Sequence, residues 1–290
     1  MARTVSIVGA GRVGISLGKH LRELGWRIGA VVTRSKATAR AAVRRIGAGK
    51  PFDRPTAHVC DADVILCGTP DDALPAIAGE LARVCGDRCK GKTVLHASAT
   101  LDRSALAPLA RLGASTGSLH PMQAFGGKVV PKLKGVIFGI EGDAKARRMA
   151  QSIAKSLGGI PVVIETADKP AYHAAAVMAG GSLYPLLEAG LQLLISIGFT
   201  RERASQTLLP LLHQILDNIE RIGPRAAWTG PLSRGDYAVV AKHMKALRRY
   251  PPEFAKSYAA LAELAARVLS KNPAATHKQL EPALGSGSKV

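Results

Sequence analysis

The sequence predicts an α/β protein of two domains, in which a Rossmann-type, doubly wound and mostly parallel sheet precedes an all-helical C-terminal domain. Short apolar runs alternate with helical patterns over residues 4–164, as in parallel strands joined by crossover helices. From residue 166 onwards only long helical patterns follow. We therefore expect a first domain over residues 1–165, a second over residues 166–272 and a flexible tail over residues 273–290.

The first predicted strand leads directly into a glycine motif. An apolar run ending at Val8 is followed by Gly-x-Gly-x-x-Gly, and a helical pattern starts at Val13. In dinucleotide-binding turns the first glycine permits the turn, the second lets a pyrophosphate approach the backbone, and the third lets the helix pack closely. Amides at the helix start then face the phosphates. The predicted cofactor-binding residues here are Gly9, Ala10, Gly11, Arg12, Val13 and Gly14.

The other elements are predicted from the same patterns. Further strands are expected over residues 28–33, 63–67, 93–97, 114–119, 136–141 and 160–164, and residues 51–55 are expected to form a loop. Helices are expected over residues 13–24 and 37–46, and after Asp71, Asp102 and Asp143. In the second domain they are expected over residues 169–197, 201–222, 237–249 and 253–270, between glycine and proline breaks.

The end of the second strand indicates which dinucleotide is bound. NAD enzymes of this fold usually carry an acidic residue there, which bonds the ribose 2′-hydroxyl. This chain instead has Thr33-Arg34-Ser35-Lys36. Arg34 can bind a 2′-phosphate through two hydrogen bonds, and Ser35 can donate another. The sequence thus favours NADP(H), with Thr33, Arg34 and Ser35 at the 2′-phosphate; the alternative is a solvated charge at a strand end.

Polar residues also follow three later strands. Ligands of open α/β sheets bind at the carboxyl ends of the strands. Thr69, Pro70 and Ser98 are therefore predicted to contact the cofactor. His120 and Gln123 are predicted to line the nicotinamide pocket and bind substrate, the alternative being a packed loop.

The charge of the chain raises the question of nucleic-acid binding. The 40 basic and 21 acidic residues give a net charge of +19. Aromatic residues make up only 4%, and the basic residues are scattered without a DNA-binding motif. We interpret the charge as a basic surface that favours polyanionic cofactors, and we expect no specific nucleic-acid site.

The cysteines and the longest apolar stretch bear on compartment. The spacing of the four cysteines shows no zinc-like pairing, so that no metal site is predicted and the thiols are interpreted as reduced, in a cytoplasmic protein. No secretory signal is visible. The apolar region 174–199 contains polar interruptions and is predicted to be a buried core helix, not a membrane span.

Three longer motifs resemble a known family. Besides the glycine motif, the chain contains Ser-Leu-His-Pro-Met-Gln-Ala-Phe from Ser118, Lys-x-x-Tyr-His-Ala-Ala-Ala-Val from Lys169, and Gly-Pro-x-x-Arg-Gly-Asp from Gly230. Together they resemble the Rossmann-like NADP oxidoreductase candidates with an uncharacterised helical C-terminal domain, which include an alternative class of ketopantoate reductase. The group is a distant relative of β-hydroxyacid dehydrogenases, pyrroline-5-carboxylate reductases and deazaflavin-dependent NADP oxidoreductases. The resemblance implies a C-terminal domain like that of 6-phosphogluconate dehydrogenase.

The resemblance also implies catalytic roles. β-Hydroxyacid dehydrogenases have a lysine where this chain has Lys169, followed four residues later by an asparagine. Lys169 is thus the implied proton donor, and His173 the residue that orients substrate or relays a proton. Arg234 is expected to grip a substrate carboxylate, and Asp236 either joins the catalytic group or caps a helix. Alternatively, Lys169 is a surface residue and His173 a core histidine.

One departure from the family concerns residues 180 and 181. A polar Ser-Asn pair is expected near this place, but the chain has Gly180-Gly181. The change puts in question either the substrate or the activity of this protein. Alternatively, the two glycines allow a close helix crossing. The expected function is NADPH-dependent reduction of a small, ketopantoate-like keto acid. Alternatives are reduction of a cyclic imine and a non-catalytic NADP-binding sensor or scaffold. The apolar helices of the second domain predict a homodimer.

Overall fold

The computed structural model describes residues 3–127 and 129–285. The chain forms two compact units, of which the first extends to Ser182 and the second begins at Leu183. The prediction placed this boundary after residue 165. The helix that starts at Lys169 belongs instead to the first unit, because its side chains bond to the sheet.

The first unit is built on an eight-stranded sheet, ordered β3-β2-β1-β4-β5-β6-β7-β8. Adjacent strands are parallel except for the antiparallel pair β6–β7. The predicted α/β, mostly parallel architecture is confirmed. The strands are β1 Thr4–Val8, β2 Arg27–Val32, β3 Lys50–Phe52, β4 Val64–Cys67, β5 Thr93–His96, β6 Ser115–Pro121, β7 Ile137–Gly142 and β8 Ile160–Val163.

Helices cover the sheet and bury its apolar strands. The helices of this unit are α1 Arg12–Glu23, α2 Lys36–Ile46, α3 Leu74–Cys85, α4 Ala107–Arg111, α5 Ala144–Ser156 and α6 Lys169–Ala176, followed by a π-helical turn at Val177–Gly181. Strands β4 and β5 are buried along their whole length, as expected for central parallel strands. Buried apolar residues form one cluster under α1 and α5 and a second cluster under α3.

The second unit consists of helices over its described residues. They are α7 Leu183–Ser196, α8 Arg201–Ile222, α9 Pro224–Ala227, α10 Tyr237–Leu247, α11 Pro252–Val268 and α12 Pro273–Leu284. Its core lies between α10, α11 and α12, around Val240, Ala259 and Leu280. The predicted flexible tail is therefore wrong for residues 273–284: Leu280 and Leu284 are buried and hold α12 in place. Residues 286–290 of the predicted tail lie outside the described residues.

Two other predictions need correction. Residues 50–52, of which two were predicted as loop, form the edge strand β3, where proline is tolerated because an edge strand needs fewer backbone donors. The stretch predicted as a buried core helix is mostly exposed, and in α7 Leu191 alone is buried. By length and composition alone, the helical stretch Thr166–Ser196 could cross a membrane.

Candidate active site

The glycine turn after β1 has the geometry that a phosphate-binding loop requires. Gly9 has a φ of 81°, and a Cβ there would lie 2.6 Å from the backbone nitrogen of Thr69. A Cβ on Gly14 would lie 2.8 Å from the carbonyl oxygen of Gly9, so that glycine lets α1 pack against the turn. A Cβ on Gly11 would meet no protein atom within 4 Å. The open side of the turn is therefore at Gly11, where a ligand can approach the backbone.

The remaining residues of the motif divide between core and surface. Ala10 is 6% exposed and packs among Ile7 and Ile15, so it can serve a ligand through its backbone only. Arg12 is exposed and Val13 half-buried at the start of α1, whose N-terminus has no side-chain cap. Uncapped amides at this end leave donors and a partial positive charge for an anion.

At the end of β2, Arg34 and Lys36 are both exposed cations, and Arg34 is the nearer of the two in sequence to the strand. Ser35 caps α2 by accepting a hydrogen bond of 3.2 Å from the backbone N–H of Thr38. Thr33 Oγ1 lies 2.6 Å from Thr38 Oγ1. The two predicted hydroxyls thus shape the start of α2, and Arg34 remains the group best exposed to a phosphate.

Polar groups that follow β4 and β5 lie close to the glycine turn after β1. Thr69 Oγ1 is buried and has no hydrogen-bond partner, whereas Pro70 is exposed. Ser98 Oγ donates a hydrogen bond of 2.7 Å to Asp71 Oδ2, which also accepts one of 2.8 Å from Thr100. The sequence predicted Asp71 only as part of a helix start, but its carboxylate ties these two strand ends together.

A row of buried polar residues crosses the sheet at the level of the glycine turn. The strand register pairs Val8 with Cys67, Cys67 with His96, His96 with Ser118, and Ser118 with Glu141. His96, Ser118 and Glu141 are 1%, 0% and 7% exposed. The sequence prediction missed these three as site residues, because each lies within a strand and only the pairing of strands from distant parts of the chain brings them together.

Lys169 meets this row from α6. The residue is 3% exposed, and its Nζ donates a hydrogen bond of 2.9 Å to Ser118 Oγ. Burial lowers the pKa of Lys169, while the negative charge of Glu141 opposes that shift. Burial also raises the pKa of Glu141, which accepts a hydrogen bond from the backbone N–H of Arg103. The alternative of a surface lysine is wrong: Lys169 is a buried, hydrogen-bonded amine.

Two histidines and a tyrosine lie beside this lysine. His120 Nδ1 is 3.1 Å from Tyr172 Oη, and the rings of His120 and His173 are 6.2 Å apart. Gly139 pairs with His120 across β6 and β7, and a Cβ there would come within 2.8 Å of Tyr172 Oη, so this glycine makes room for the tyrosine. His173 Nδ1 is buried without a partner. Residues 169 and 173 thus face the same side, as their spacing predicts.

His96 and His120 are both neutral at pH 7. Burial lowers the pKa of His120 to about 4, aided by the charges of His173 and Lys169. Burial also lowers the pKa of His96 to about 4. His96 Nδ1 accepts from the backbone N–H of Ser98, so its Nε2 carries the proton and donates to the carbonyl oxygen of Asp102 at 3.1 Å.

Two regions of the sequence match known family models. Residues 2–121 match the Rossmann-like domain, and residues 136–265 match DUF2520, a domain of unknown function. The chain joins a Rossmann-like domain to a DUF2520 domain. The resemblance predicted from the motifs is thus confirmed. No curated protein sequence matches the chain.

Solved structures share the fold at low sequence identity. A candidate NADP oxidoreductase from Bacteroides fragilis is 19% identical, with a TM-score of 0.76 over 91% of this chain and 97% of its own. A protein from Thermotoga maritima is 22% identical, with a TM-score of 0.66 over 96% and 98% of the two chains. A reductive aminase from Aspergillus terreus, solved with NADPH and ethyl levulinate, is 15% identical, with a TM-score of 0.69 over 97% and 100%.

The match boundaries divide the candidate site between the two domains. Ser118 and His120 belong to the Rossmann-like match, whereas Glu141 and Lys169 belong to the DUF2520 match. The antiparallel pair β6–β7 brings the two regions together, because it places Glu141 opposite Ser118. The DUF2520 domain therefore contributes two strands, β7 and β8, to the sheet as well as the lysine.

Three other predicted residues make local contacts of their own. Gln123 is exposed and bonds within its own loop, where its Oε1 accepts from the backbone N–H of Ala124 at 2.8 Å. Arg234 and Asp236 lie in the second unit and form an exposed ion pair, with 3.1 Å between Nε and Oδ2. The suggestion that the Asp236 side chain caps α10 is wrong, because it makes no capping hydrogen bond.

The two glycines that depart from the family lie in the π-helical turn. A Cβ on Gly180 would meet nothing within 4 Å, and one on Gly181 would touch only the side chain of Val177. Within this chain, therefore, these glycines do not serve a close helix crossing. Such π turns are frequent at functional sites.

Proposed function

We propose that the protein is an NADPH-dependent reductase of a small carbonyl acid, of which a ketopantoate-like 2-keto acid is the best candidate. The observation that carries the proposal is the buried amine of Lys169, held by Ser118 at the level of the glycine turn. A buried amine at the carboxyl edge of a Rossmann sheet is positioned to give a proton to a substrate oxygen.

The chain's own residues fit an NADP cofactor. Gly11 leaves the backbone open, the start of α1 has no side-chain cap, and Arg34 supplies an exposed cation at the end of β2. Buried Thr69 Oγ1 has a hydrogen bond still to make. NADPH, when bound, would supply the hydride. The B. fragilis and A. terreus structures, which are named for NADP or hold NADPH, agree with this choice.

The proton is the part of the reaction that the protein itself must provide. Reduction of a carbonyl adds a hydride to carbon and a proton to oxygen. Lys169 would donate that proton, because burial lowers its pKa and so makes it a better acid than an exposed lysine. Ser118 holds Nζ in place, and the negative charge of Glu141 favours the protonated form of Lys169. His173, with its unpaired Nδ1, would orient the substrate beside His120.

Reduction of a cyclic imine is the second candidate. It has support from the reductive aminase fold and from a Streptococcus pyogenes pyrroline-5-carboxylate reductase with a TM-score of 0.59. An imine is usually reduced as a cation, which Lys169 would repel when charged. The buried lysine therefore favours the carbonyl.

For either substrate, we propose that Arg234 binds the substrate carboxylate, with Asp236 as the neighbour of Arg234.

A turnover assay tests the proposal and separates it from a non-catalytic sensor. The purified protein is mixed with NADPH and a panel of 2-keto acids and cyclic imines, and the loss of NADPH absorbance is followed. We expect turnover of a keto acid that falls about 100-fold or more in Lys169→Met. Lys155→Met, on the exposed side of α5, is the matched control and should keep full activity. NADPH binding without turnover of any substrate would favour the sensor.

We also propose that two copies associate through the second unit. Leu211, Ile215, Ile219 and Ile222 form a stripe along α8, and all four are exposed in the single chain. Covering such a stripe with a second copy removes it from water.

We further propose a cytoplasmic location. Free thiols at all four cysteines agree with a reducing, cytoplasmic compartment.

A further inference from the structure

Three of the four cysteines meet at the edge of the sheet where strands begin. Cys60 lies in the 3₁₀ turn Ala57–Asp61 before β4, Cys85 is the last residue of α3, and Cys89 ends the 3₁₀ turn Gly86–Cys89 before β5. The glycine turn follows the carboxyl end of β1, at the opposite edge. The cysteine cluster is therefore separate from the candidate active site.

The spacing of the sulfurs fits a common ligand. The three Sγ atoms lie within 4.8 Å of one another, and those of Cys60 and Cys89 are 3.8 Å apart. Three sulfurs arranged in a plane around a metal ion, at bonds near 2.3 Å, would be about 4 Å apart. Gly86, with a φ of 51°, lets the chain turn between Cys85 and Cys89. Only small side-chain adjustments would complete the site.

We propose that Cys60, Cys85 and Cys89 bind one Cu(I) ion through three sulfurs. Thiolates are soft ligands that select Cu(I), and Cu(I) accepts three of them in a plane. Structural zinc normally takes four ligands, and the described residues offer a group of only three here. A water is a poor fourth ligand at this place, since the cysteines are 2%, 4% and 0% exposed.

The binding step involves protons but no change of oxidation state. Three thiols lose their protons to solvent as one Cu(I) enters, and the copper stays monovalent. The resulting site carries two negative charges. Arg88, next to Cys89, pairs with Asp61, next to Cys60, so one positive and one negative charge stand beside the site. Cys67, buried in β4, stays outside the cluster and serves as a control.

A competition titration tests the proposal. The reduced, full-length protein is titrated with Cu(I) without oxygen, against bicinchoninate as the competing chelator. We expect one Cu(I) per chain, with X-ray absorption that shows three sulfur neighbours. The affinity should fall about 100-fold or more in Cys89→Ser and stay unchanged in Cys67→Ser. Circular dichroism checks that each variant is folded, and Cys60→Ser replaces Cys89→Ser if the latter does not fold.

Thermal unfolding of the wild type gives a readout that needs no variant. Saturating Cu(I) should raise the Tm, because it binds the folded cluster. An unchanged Tm, a failure to hold Cu(I) against the chelator, or equal loss in Cys67→Ser would overturn the proposal. The proposal would also be overturned if the protein bound Zn(II) but not Cu(I). It would be overturned as well if the three cysteines bound no metal and only formed a disulfide on oxidation.

Discussion

The Nζ atom of Lys169 donates a hydrogen bond of 2.9 Å to the Oγ atom of Ser118, although the two residues are 51 positions apart in the chain. This bond fixes the end of a long, flexible side chain inside the protein. A lysine that is held in this way loses the freedom to reach water, so that its chemistry depends on the groups around it.

The first prediction concerns the pH dependence of turnover. A proton donor must be protonated, so activity should fall as the pH rises through the pKa of Lys169, which burial holds below its usual 10.5. Glu141 opposes that shift, and Glu141→Gln should therefore move the alkaline limb of the kcat profile to lower pH. A limb that moves to higher pH, or does not move, would argue against Lys169 as the donor.

The second prediction concerns the choice between the two nicotinamide cofactors. Arg34→Ala should weaken NADPH binding about 10- to 100-fold and leave NADH binding nearly unchanged, because only NADPH carries the 2′-phosphate. Arg40→Ala removes another exposed arginine, from α2, and is the matched control. Fluorescence titration of both cofactors provides the measurement, and equal loss for NADPH and NADH would remove the assignment.

The third prediction separates two glycines of the same turn. Gly9→Ala should destabilise the fold by about 2 kcal/mol or more, since its φ is 81° and the new Cβ would press on the Thr69 backbone. Gly11 has a φ of −77° and open space around it, so Gly11→Ala should leave stability almost unchanged and weaken NADPH binding. Urea unfolding and cofactor titration of both variants test this difference.

A control for Gly9 is available at the end of α1. Gly25 has a similar φ of 83°, but a Cβ there would meet nothing within 4 Å. Gly25→Ala therefore has the backbone strain without the clash, and should cost about 1 kcal/mol. If Gly25→Ala destabilised the protein as much as Gly9→Ala, the contact with Thr69 would not matter.

The fourth prediction concerns association of two copies. Leu211→Glu places a charge in the apolar stripe of α8, and light scattering should then give the mass of one chain instead of two. His213→Glu adds the same charge to an exposed residue on the opposite side of the helix and should leave the dimer intact. A wild-type mass of one chain would rule out the dimer.

Much of the fold could be predicted from local patterns. Apolar runs bounded by glycines marked the strands, and the position of Gly9 right after β1 identified the turn. The helix α12 was missed because its pattern is weak, and its place depends on burial of Leu280. Glu141 and Ser118 were missed because only the register of β6 and β7 brings them together.

The antiparallel direction of β7 has a consequence for how substrate range could diverge among relatives. Strand β6 ends and β7 begins at the edge of the sheet that holds the candidate site, so the segment between residues 121 and 137 connects them there. Changes of length in this segment would reshape the sheet edge beside His120, while Leu133 anchors the segment in the core. The turn from β7 into α5 lies at the opposite edge of the sheet, where changes of length would leave the edge beside His120 untouched. Exchange of the first segment between relatives is thus a route to new specificity on an unchanged scaffold.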